Sequence, residues 1–225
     1  MKAVVLLSGG LDSSTTAYLA RSEGYEICAV SFDYGQRHWR ELKSATRIAQ
    51  MVGAIEHRIV RFDLRQWGGG SALTSSLELP LDRSTDEMGE GIPVTYVPAR
   101  NTIFLAFGLS YAEAVGAELV YIGANAIDYS GYPDCRPDYL TAMQTVFTLG
   151  TKAGREGRPI RLEFPLVEMT KPEIVLLGDR LGVPWEKTYS CYTGAELSCG
   201  HCDSCLLRIA AFEAAGRADP LTYAG

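Results

Sequence analysis

The feature that most constrains the fold is the junction at residues 4–16, where an apolar run meets a glycine-rich turn and then a helix. Val4 to Leu7 is apolar and partly β-branched, which predicts a buried strand. Ser8-Gly9-Gly10 follows, and residues 15–21 are compatible with a helix. Backbone N–H groups and the helix dipole converge at such a turn, which favours a bound anion. The junction therefore predicts a phosphate site.

The side chains of the turn suit the same role. Gly9 and Gly10 allow positive φ and a close approach of the backbone to phosphate. Ser8, Ser13 and Ser14 add hydroxyl donors, and Asp12 can cap the helix or help to hold magnesium. The turn has neither the Gly-x4-Gly-Lys-Ser/Thr pattern of P-loop NTPases nor the Gly-x-Gly-x-x-Gly pattern of dinucleotide folds. It is a different type of phosphate loop.

Strand-like and helix-like segments alternate along the chain. The predicted strands after the first are 26–32, 54–60 and 119–123, and the predicted helices include 39–52, 101–115 and 139–148. This alternation predicts an α/β fold with a doubly wound, mainly parallel sheet and helices on both faces. Ligands of such folds bind at the carboxyl ends of the strands, where the Ser8 loop lies.

Residues 66–92 interrupt the alternation. The segment contains Gly68-Gly69-Gly70, Pro80 and a mixed charged run. We interpret it as a surface excursion or lid beside the site, with a flexible linker as the alternative.

The composition bounds the class of protein. The chain has 225 residues, enough for one substantial core, and its net charge is −6. This acidic balance argues against RNA or DNA as a partner. No apolar run approaches the ~20 residues of a membrane span, and no signal-peptide cleavage pattern follows the first strand. We expect a cytoplasmic enzyme without membrane partners, and a homodimer as the commonest default.

Four cysteines near the end of the chain form the second strong pattern, at Cys191, Cys199, Cys202 and Cys205. Four thiolates complete a tetrahedral Zn²⁺ site, which indicates a structural metal. The alternatives are disulfides, which a cytosolic chain disfavours, and an iron–sulfur cluster, whose usual downstream Cys-Pro is missing. We expect residues 1–187 to form the α/β domain and 188–225 a zinc-bound extension with the final helix.

The other two cysteines have different surroundings. Cys28 lies within an apolar strand and is interpreted as a core residue. Cys135 lies in a proline-flanked loop that can approach a substrate, but we do not expect it to be catalytic.

The motifs together resemble a known family. Ser-Gly-Gly-x-Asp-Ser at residues 8–13 resembles the pyrophosphate loop of ATP pyrophosphatases, which split ATP between its α and β phosphates. With the segments 96–102 and 123–137 and the four cysteines, the chain resembles the 7-cyano-7-deazaguanine synthase family from Lys2 to about Ile209. The resemblance implies an adenine nucleotide alpha hydrolase-like (HUP-type) fold.

The resemblance also implies an activity in queuosine biosynthesis. The substrates would be 7-carboxy-7-deazaguanine, free ammonia and ATP with Mg²⁺, and the product a nitrile formed through an adenylated acid and an adenylated amide. The residues expected to bind ATP form the loop and the first turns of the helix: Ser8, Gly9, Gly10, Leu11, Asp12, Ser13, Ser14, Thr15, Thr16, Ala17 and Tyr18.

Lys171 is the second residue, after Asp12, that we expect to be catalytic. Thr170-Lys171-Pro172-Glu173 has the Ser/Thr-x-x-Glu form of a capping box and begins a helix that ends near Gly182. A lysine in the first turn opposes the helix dipole, which is unfavourable unless an anion is near. It also resembles the second lysine motif of ATP pyrophosphatases. The alternative is an exposed first-turn lysine.

The candidates for recognition of the base are charged and aromatic side chains. Carboxylates can accept from the donors of a guanine-like edge, arginines can pair with its carboxylate, and a tyrosine can stack on the ring. The alternative is that the two aspartates act only as turn residues. The candidates are Arg100, Asp128, Tyr129, Asp134 and Arg136, with Tyr132 as a second tyrosine that can stack.

Two other functions remain open at this point. One is a tRNA thiolase that uses the same adenylation and holds an iron–sulfur cluster on the cysteines, which the acidic charge disfavours. The other is a non-catalytic nucleotide-binding module with a zinc knob for partners, which the intact loop and Lys171 disfavour.

Overall fold

The computed structural model describes residues 1–67, 70–127 and 131–224. Within these ranges, no helix combines the length and apolar character that a membrane crossing requires.

Five parallel strands form one sheet in the order β3-β2-β1-β4-β5. Parallel strands need crossover connections, and helices supply them here. The predicted α/β class with a parallel sheet is confirmed. The strands are β1 Lys2–Leu6, β2 Glu26–Asp33, β3 Glu56–Arg61, β4 Leu119–Tyr121 and β5 Arg161–Glu163.

Eight α-helices occur in the described part of the chain, and three short 3₁₀ segments accompany them at Leu64–Trp67, Pro133–Cys135 and Trp185–Lys187. The helices are α1 Leu11–Ser22, α2 Arg40–Met51, α3 Thr85–Gly89, α4 Arg100–Val115, α5 Pro137–Gly150, α6 Lys152–Arg155, α7 Lys171–Leu181 and α8 Asp203–Ala214.

The central strand β1 is buried on both faces, because helices cover the sheet from both sides. Ala3 and Val5 pack into the cluster that includes α1 and α2, whereas Val4 and Leu6 pack into the cluster that includes α4 and α5. This alternation follows from the period of two in a strand. The phosphate loop follows β1 directly, so the sheet fixes its position.

The C-terminal helix shares a core with α7. Phe212 of α8 packs edge-on against Trp185 with 5.6 Å between ring centroids, and both are buried. Beside this contact, the buried Arg208 guanidinium binds Asp219 through two nitrogens, Nε at 2.7 Å and Nη2 at 2.9 Å. Helix α8 therefore packs against α7 and Trp185 in one apolar cluster.

Residues 70–92 are only partly a surface segment. Ser71, Ala72 and Leu73 have at most 1% of their surface exposed, and Leu73 belongs to the core cluster beneath the sheet. Beyond them, Ser84 and Glu87 form a capping box that begins the short helix α3. The expectation of a surface excursion is therefore wrong for Ser71–Leu73, because that stretch contributes apolar side chains to the core.

Candidate active site

A cavity of about 300 Å³ opens at the carboxyl end of the sheet. The phosphate loop, the start of α2, the start of α4, Lys171 of α7 and the first turns of α8 all contribute to its wall. It therefore lies where doubly wound sheets bind their ligands. Of the residues predicted to bind ATP, the cavity is lined by Ser8, Gly10, Leu11, Asp12 and Ser13.

The phosphate loop points backbone N–H groups at hydroxyl oxygens. The amides of Ser8 and Gly9 both donate to Ser13 Oγ at 3.2 Å, and the amide of Gly10 donates to Ser8 Oγ at 3.3 Å. Gly10 is the N-cap of α1 and makes no side-chain capping bond, so the first turn of this helix keeps free donors. These donors and the helix dipole favour an anion at the loop.

Gly9 is required by both its conformation and its surroundings. Its φ is +89°, and a Cβ there would lie 2.3 Å from the amide nitrogen of Ala45. The backbone of the loop therefore packs directly on the first turns of α2, which leaves no room for a side chain.

Lys171 reaches the loop from the far side of the cavity. Its Nζ lies 2.7 Å from Asp12 Oδ2, and the two side chains are 16% and 26% exposed. Thr170 and Glu173 form the predicted capping box, which fixes the start of α7 and hence the direction of Lys171. The second oxygen of Asp12, Oδ1, is buried without a hydrogen-bond partner among the described residues. Both residues predicted to be catalytic thus meet at the phosphate loop.

The remaining predicted ATP residues lie behind the loop. Thr15 and Thr16 donate their hydroxyls to the helix carbonyls of Leu11 and Asp12, at 3.0 and 2.9 Å. These bonds are local to α1 and do not point into the cavity. Gly9, Ser14, Thr15, Thr16, Ala17 and Tyr18 are not part of the cavity wall.

Arg100 lines the cavity inside an aromatic cage. Its Cζ lies 5.8 to 6.0 Å from the ring centroids of Tyr34, Phe104 and Tyr132, and Nη1 donates to the hydroxyl of Tyr34 at 3.3 Å. The ion pairs of the described residues do not include Arg100. Its charge is therefore available to an anionic ligand.

The other predicted base-binding residues lie elsewhere. Asp134 accepts from the backbone amide of Asn101 at 2.9 Å, which satisfies a free donor at the start of α4. Arg136 is exposed and is not part of the cavity wall. The structure thus gives Asp134 a capping role and leaves Arg136 at the surface. Asp128 and Tyr129 lie outside the described residues.

Cys135 also lines the cavity, but as a neutral thiol. Burial, followed by the charge of Asp134, raises the pKa of Cys135 to about 11. The side-chain amide of Asn101 donates to its Sγ at 3.2 Å. A thiol in this state is a poor nucleophile at neutral pH, in agreement with the expectation from sequence.

Two pairs of polar side chains in the wall bring together residues that are distant from the predicted site in sequence. His38 Nε2 lies 3.1 Å from Glu41 Oε2 at the start of α2. Arg83 donates from Nε to Asp203 Oδ1 at 3.1 Å, which joins the 66–92 segment to the first turn of α8. All four residues line the cavity, and none was predicted from sequence. Of these four residues, only His38 had a sequence signal that could have marked it as a site residue, because it is a histidine in the polar stretch after β2.

The four predicted metal cysteines come together in space. The Sγ atoms of Cys191, Cys199, Cys202 and Cys205 all lie within 4.8 Å of one another. Backbone amides of the turn donate to the sulfurs: Cys202 N lies 3.3 Å from Cys199 Sγ, and Cys199 N lies 3.3 Å from Cys191 Sγ. Hydrogen bonds from Cys202 and Cys205 lower the pKa of Cys191. This donor set fits a metal ion that prefers thiolates.

The comparison with protein families decides between the functions left open above. Residues 2–216 match the family described as queuosine biosynthesis protein QueC. The chain belongs to this family. The match covers the phosphate loop, Lys171 and all four cysteines, so the resemblance inferred from sequence is confirmed.

Relatives in the family are similar over their full length. A protein of Trichodesmium erythraeum is 64% identical over 98% of this chain and 100% of its own, and one of Nostoc punctiforme is 62% identical over 100% of both. Each is named 7-cyano-7-deazaguanine synthase. Among solved structures, an NMN synthetase of Francisella tularensis is similar to this chain with a TM-score of 0.51 and 17% identity, covering 96% of this chain and 78% of its own. That likeness concerns the fold alone.

Proposed function

We propose that this member of the QueC family is an ATP-dependent C–N ligase that converts 7-carboxy-7-deazaguanine and ammonia into 7-cyano-7-deazaguanine. The observation that carries the proposal is one cavity that joins a phosphate loop with its Asp12–Lys171 pair to an arginine, Arg100, that has no carboxylate partner among the described residues. A nucleotide and an anionic second substrate can bind there side by side. The names of the close relatives support the same activity.

The first half of the reaction activates the acid. The carboxylate attacks the α-phosphate of ATP, which releases pyrophosphate and forms an acyl adenylate. Ammonia then displaces AMP and leaves the amide. In the second half, the amide oxygen attacks a second ATP, and loss of AMP with two N–H protons leaves the nitrile. Both activations need the same geometry, so one cavity can serve twice.

The phosphate loop would hold pyrophosphate through the free backbone amides in the first turn of α1, residues 11–13, with Lys171 neutralising negative charge. Charge stabilisation of this kind is a large part of catalysis in phosphoryl-type transfers. Asp12 offers a carboxylate oxygen that has no hydrogen-bond partner in the described part of the chain, which suits Mg²⁺, a cation that prefers oxygen ligands. Magnesium would supply further neutralisation of the phosphates.

Arg100 would bind the carboxylate of 7-carboxy-7-deazaguanine, and its aromatic cage would face the flat base. A guanidinium pairs with a carboxylate through two parallel hydrogen bonds, which fixes orientation as well as charge. Asp128 and Tyr129 stay candidates for the base edge. Asp134 is less suitable because it accepts from the amide of Asn101, and Arg136 is less suitable because it is exposed at the surface.

The four cysteines would hold a structural Zn²⁺. Thiolates at ~2.3 Å from one tetrahedral ion stand ~3.8 Å apart. The sulfurs of Cys199 and Cys205 are 3.9 Å apart, and the whole set lies within 4.8 Å. A cluster of several irons would place each thiolate on its own iron and so hold them farther apart. The zinc would stabilise residues 188–225 against the α/β unit of residues 1–187.

The proposed setting of the enzyme concerns its partners, its compartment and its assembly. A net charge of −6 supports small-molecule substrates rather than nucleic acid as partner. We propose a cytoplasmic homodimer, since closed two-fold dimers are the commonest assemblies.

The decisive experiment measures pyrophosphate and AMP with purified protein, ATP, magnesium and ammonium, with and without 7-carboxy-7-deazaguanine. Mass spectrometry follows the base in the same tubes. We expect AMP formation that depends on the base, a nitrile product, and two AMP per nitrile. ATP consumption that is indifferent to the base would contradict the proposed substrate.

A further inference from the structure

The His38–Glu41 pair lies in the cavity wall beside the phosphate loop and has no role in the mechanism above. His38 is 5% exposed, and its Nε2 lies 3.1 Å from Glu41 Oε2. Its other ring nitrogen, Nδ1, is buried and has no hydrogen-bond partner among the described residues. The backbone carbonyl of Glu41 would lie 2.8 Å from a Cβ on Gly9, so the pair adjoins the loop itself.

The partner of Nε2 fixes the state of the ring. An ionised carboxylate only accepts hydrogen bonds, so Glu41 requires the proton of a neutral His38 to be on Nε2. The lone pair of Nδ1 is then free to accept a proton, because no described residue donates a hydrogen bond to it. A base held in one tautomer by a carboxylate is the arrangement of the Ser-His-Asp triad, where the carboxylate also stabilises the imidazolium that forms.

The proposed chemistry needs a proton acceptor at the cavity. When ammonia attacks the acyl adenylate, the new C–N bond forms, the C–O bond to AMP breaks, and the nitrogen must lose a proton. When the adenylated amide becomes the nitrile, the nitrogen loses its two protons while the C–O bond to AMP breaks again. Every proton lost in these steps comes from the same nitrogen.

We propose that His38 is the catalytic base that removes these N–H protons through Nδ1, and that Glu41 is the residue that positions it. The proposal rests on the proposed function, because only nitrile formation makes the nitrogen lose all of its protons. His38 accepts one proton at a time and passes it to solvent before the next transfer. The first half removes one N–H proton and the second half removes two, so the second half depends more on His38.

The test compares His38→Asn and Glu41→Gln with His57→Asn as the matched control, since His57 lies on β3 and is not part of the cavity wall. Each enzyme is given ATP, magnesium and the 7-carboxamide of the base, and nitrile is measured by mass spectrometry. Separately, adenylation of the acid is followed as pyrophosphate–ATP exchange without ammonium, a step that removes no N–H proton.

We expect His38→Asn to slow conversion of the carboxamide to nitrile by ~100-fold or more while exchange with the acid stays within about threefold of wild type. Glu41→Gln should show the same imbalance to a smaller degree, and His57→Asn should match wild type. If His38→Asn does not fold, the ratio of nitrile formation to pyrophosphate–ATP exchange in Glu41→Gln decides whether the pair acts as the base.

Three results would overturn the assignment. Nitrile formation by His38→Asn at the wild-type rate excludes it as the base. An equal loss of exchange and nitrile formation instead assigns His38 to nucleotide binding. Wild-type enzyme that makes no nitrile contradicts the proposed function itself, and with it the role of His38. This outcome is recognised before any variant is measured.

Discussion

The Nζ of Lys171 lies 2.7 Å from Asp12 Oδ2, although 159 residues separate the two in sequence. Asp12 stands in the first turn of α1 and Lys171 in the first turn of α7, so both helices begin at the same point of the cavity. A lysine at a helix N-terminus is unfavourable by itself, and the Asp12 carboxylate offsets that cost. In the proposed reaction, the phosphates of ATP would compete with Asp12 for the ammonium group and leave the carboxylate to magnesium.

Removal of the Lys171 charge should impair catalysis far more than folding. We expect Lys171→Met to reduce the rate of base-dependent pyrophosphate release by ~100-fold or more, as for other charges aimed at a transition state. Lys152→Met, in an exposed pair with Glu156, is the matched control and should keep the wild-type rate. Steady-state kinetics and thermal unfolding of both variants provide the measurement. Comparable activity of the two would exclude Lys171 from the reaction.

Gly9 and Gly10 are neighbours in sequence but should respond differently to a methyl group. Gly9→Ala forces positive φ on alanine and places its Cβ 2.3 Å from a backbone nitrogen, so we expect a loss of several kcal/mol of stability. At Gly10 the nearest atom to a Cβ is Ser190 Oγ, at 3.3 Å, and Gly10→Ala should fold. Urea denaturation separates the two. A stable Gly9→Ala protein would contradict the packing of the loop on α2.

The cysteine cluster predicts a colourless protein that contains zinc. We expect about one Zn²⁺ per chain by mass spectrometry and no visible absorption band, because Zn²⁺ has a filled d shell. Cys202→Ser should lose the metal and lower the thermal midpoint, as should prolonged treatment with a chelator. Cys28→Ala, a buried cysteine of β2, is the control and should keep the metal. A brown protein with iron and sulfide would support the rival cluster.

The buried Arg208–Asp219 pair predicts stability that depends on acid pH. Burial alone would raise the pKa of Asp219, but hydrogen bonds and the charge of Arg208 outweigh it and lower the pKa. A lowered pKa in the folded state means that this stabilisation is present above the unfolded value near ~4 and is lost as pH falls through the folded value. Asp219→Asn should cost ~3–5 kcal/mol at pH 7.

Urea denaturation between pH 7 and acid pH tests this prediction. The free energy of unfolding of the wild type should fall below about pH 4 more steeply than that of Asp219→Asn. Arg217→Gln removes an ion pair to Asp179 whose arginine is 53% exposed, and it should cost no more than ~1 kcal/mol. Parallel curves for wild type and Asp219→Asn would show that the pair is not responsible for acid lability.

Local patterns predicted much of the fold and of the site. The Ser8–Ser13 loop, the capping box at Thr170 and the cysteine spacing each act within a few residues, so sequence alone indicated where they would form. The strand β5 was missed because Arg161–Glu163 is only three residues long and carries little periodicity. Its place at the sheet edge is fixed by pairing with β4 rather than by its own composition.

Other parts of the site depend on contacts that no local pattern records. Sequence offered Arg100 for the carboxylate of the substrate and Asp134 for the edge of the base, but Asp134 caps α4, so of these two residues only Arg100 lines the cavity. Arg83 and Asp203 form an ion pair although they are 120 positions apart in sequence, and the burial of Ser71–Leu73 likewise follows from tertiary packing. Such long-range contacts depend on the spatial order of strands and helices, which local sequence patterns do not determine.

Substitution of Arg100 should impair the reaction of the acid more than that of the carboxamide, which is the opposite of the effect expected for His38. The 7-carboxylate is an anion and the 7-carboxamide is neutral, so a guanidinium that binds the carboxylate should matter mainly for the acid. We expect Arg100→Gln to raise the KM for 7-carboxy-7-deazaguanine by ~10-fold or more while the rate from the carboxamide falls less. Arg136→Gln, at the exposed arginine outside the cavity wall, should leave both unchanged. An equal loss with the two bases would instead indicate that Arg100 maintains the cage of Tyr34, Phe104 and Tyr132, since in the proposed complex that cage would contact the ring and not the group at position 7.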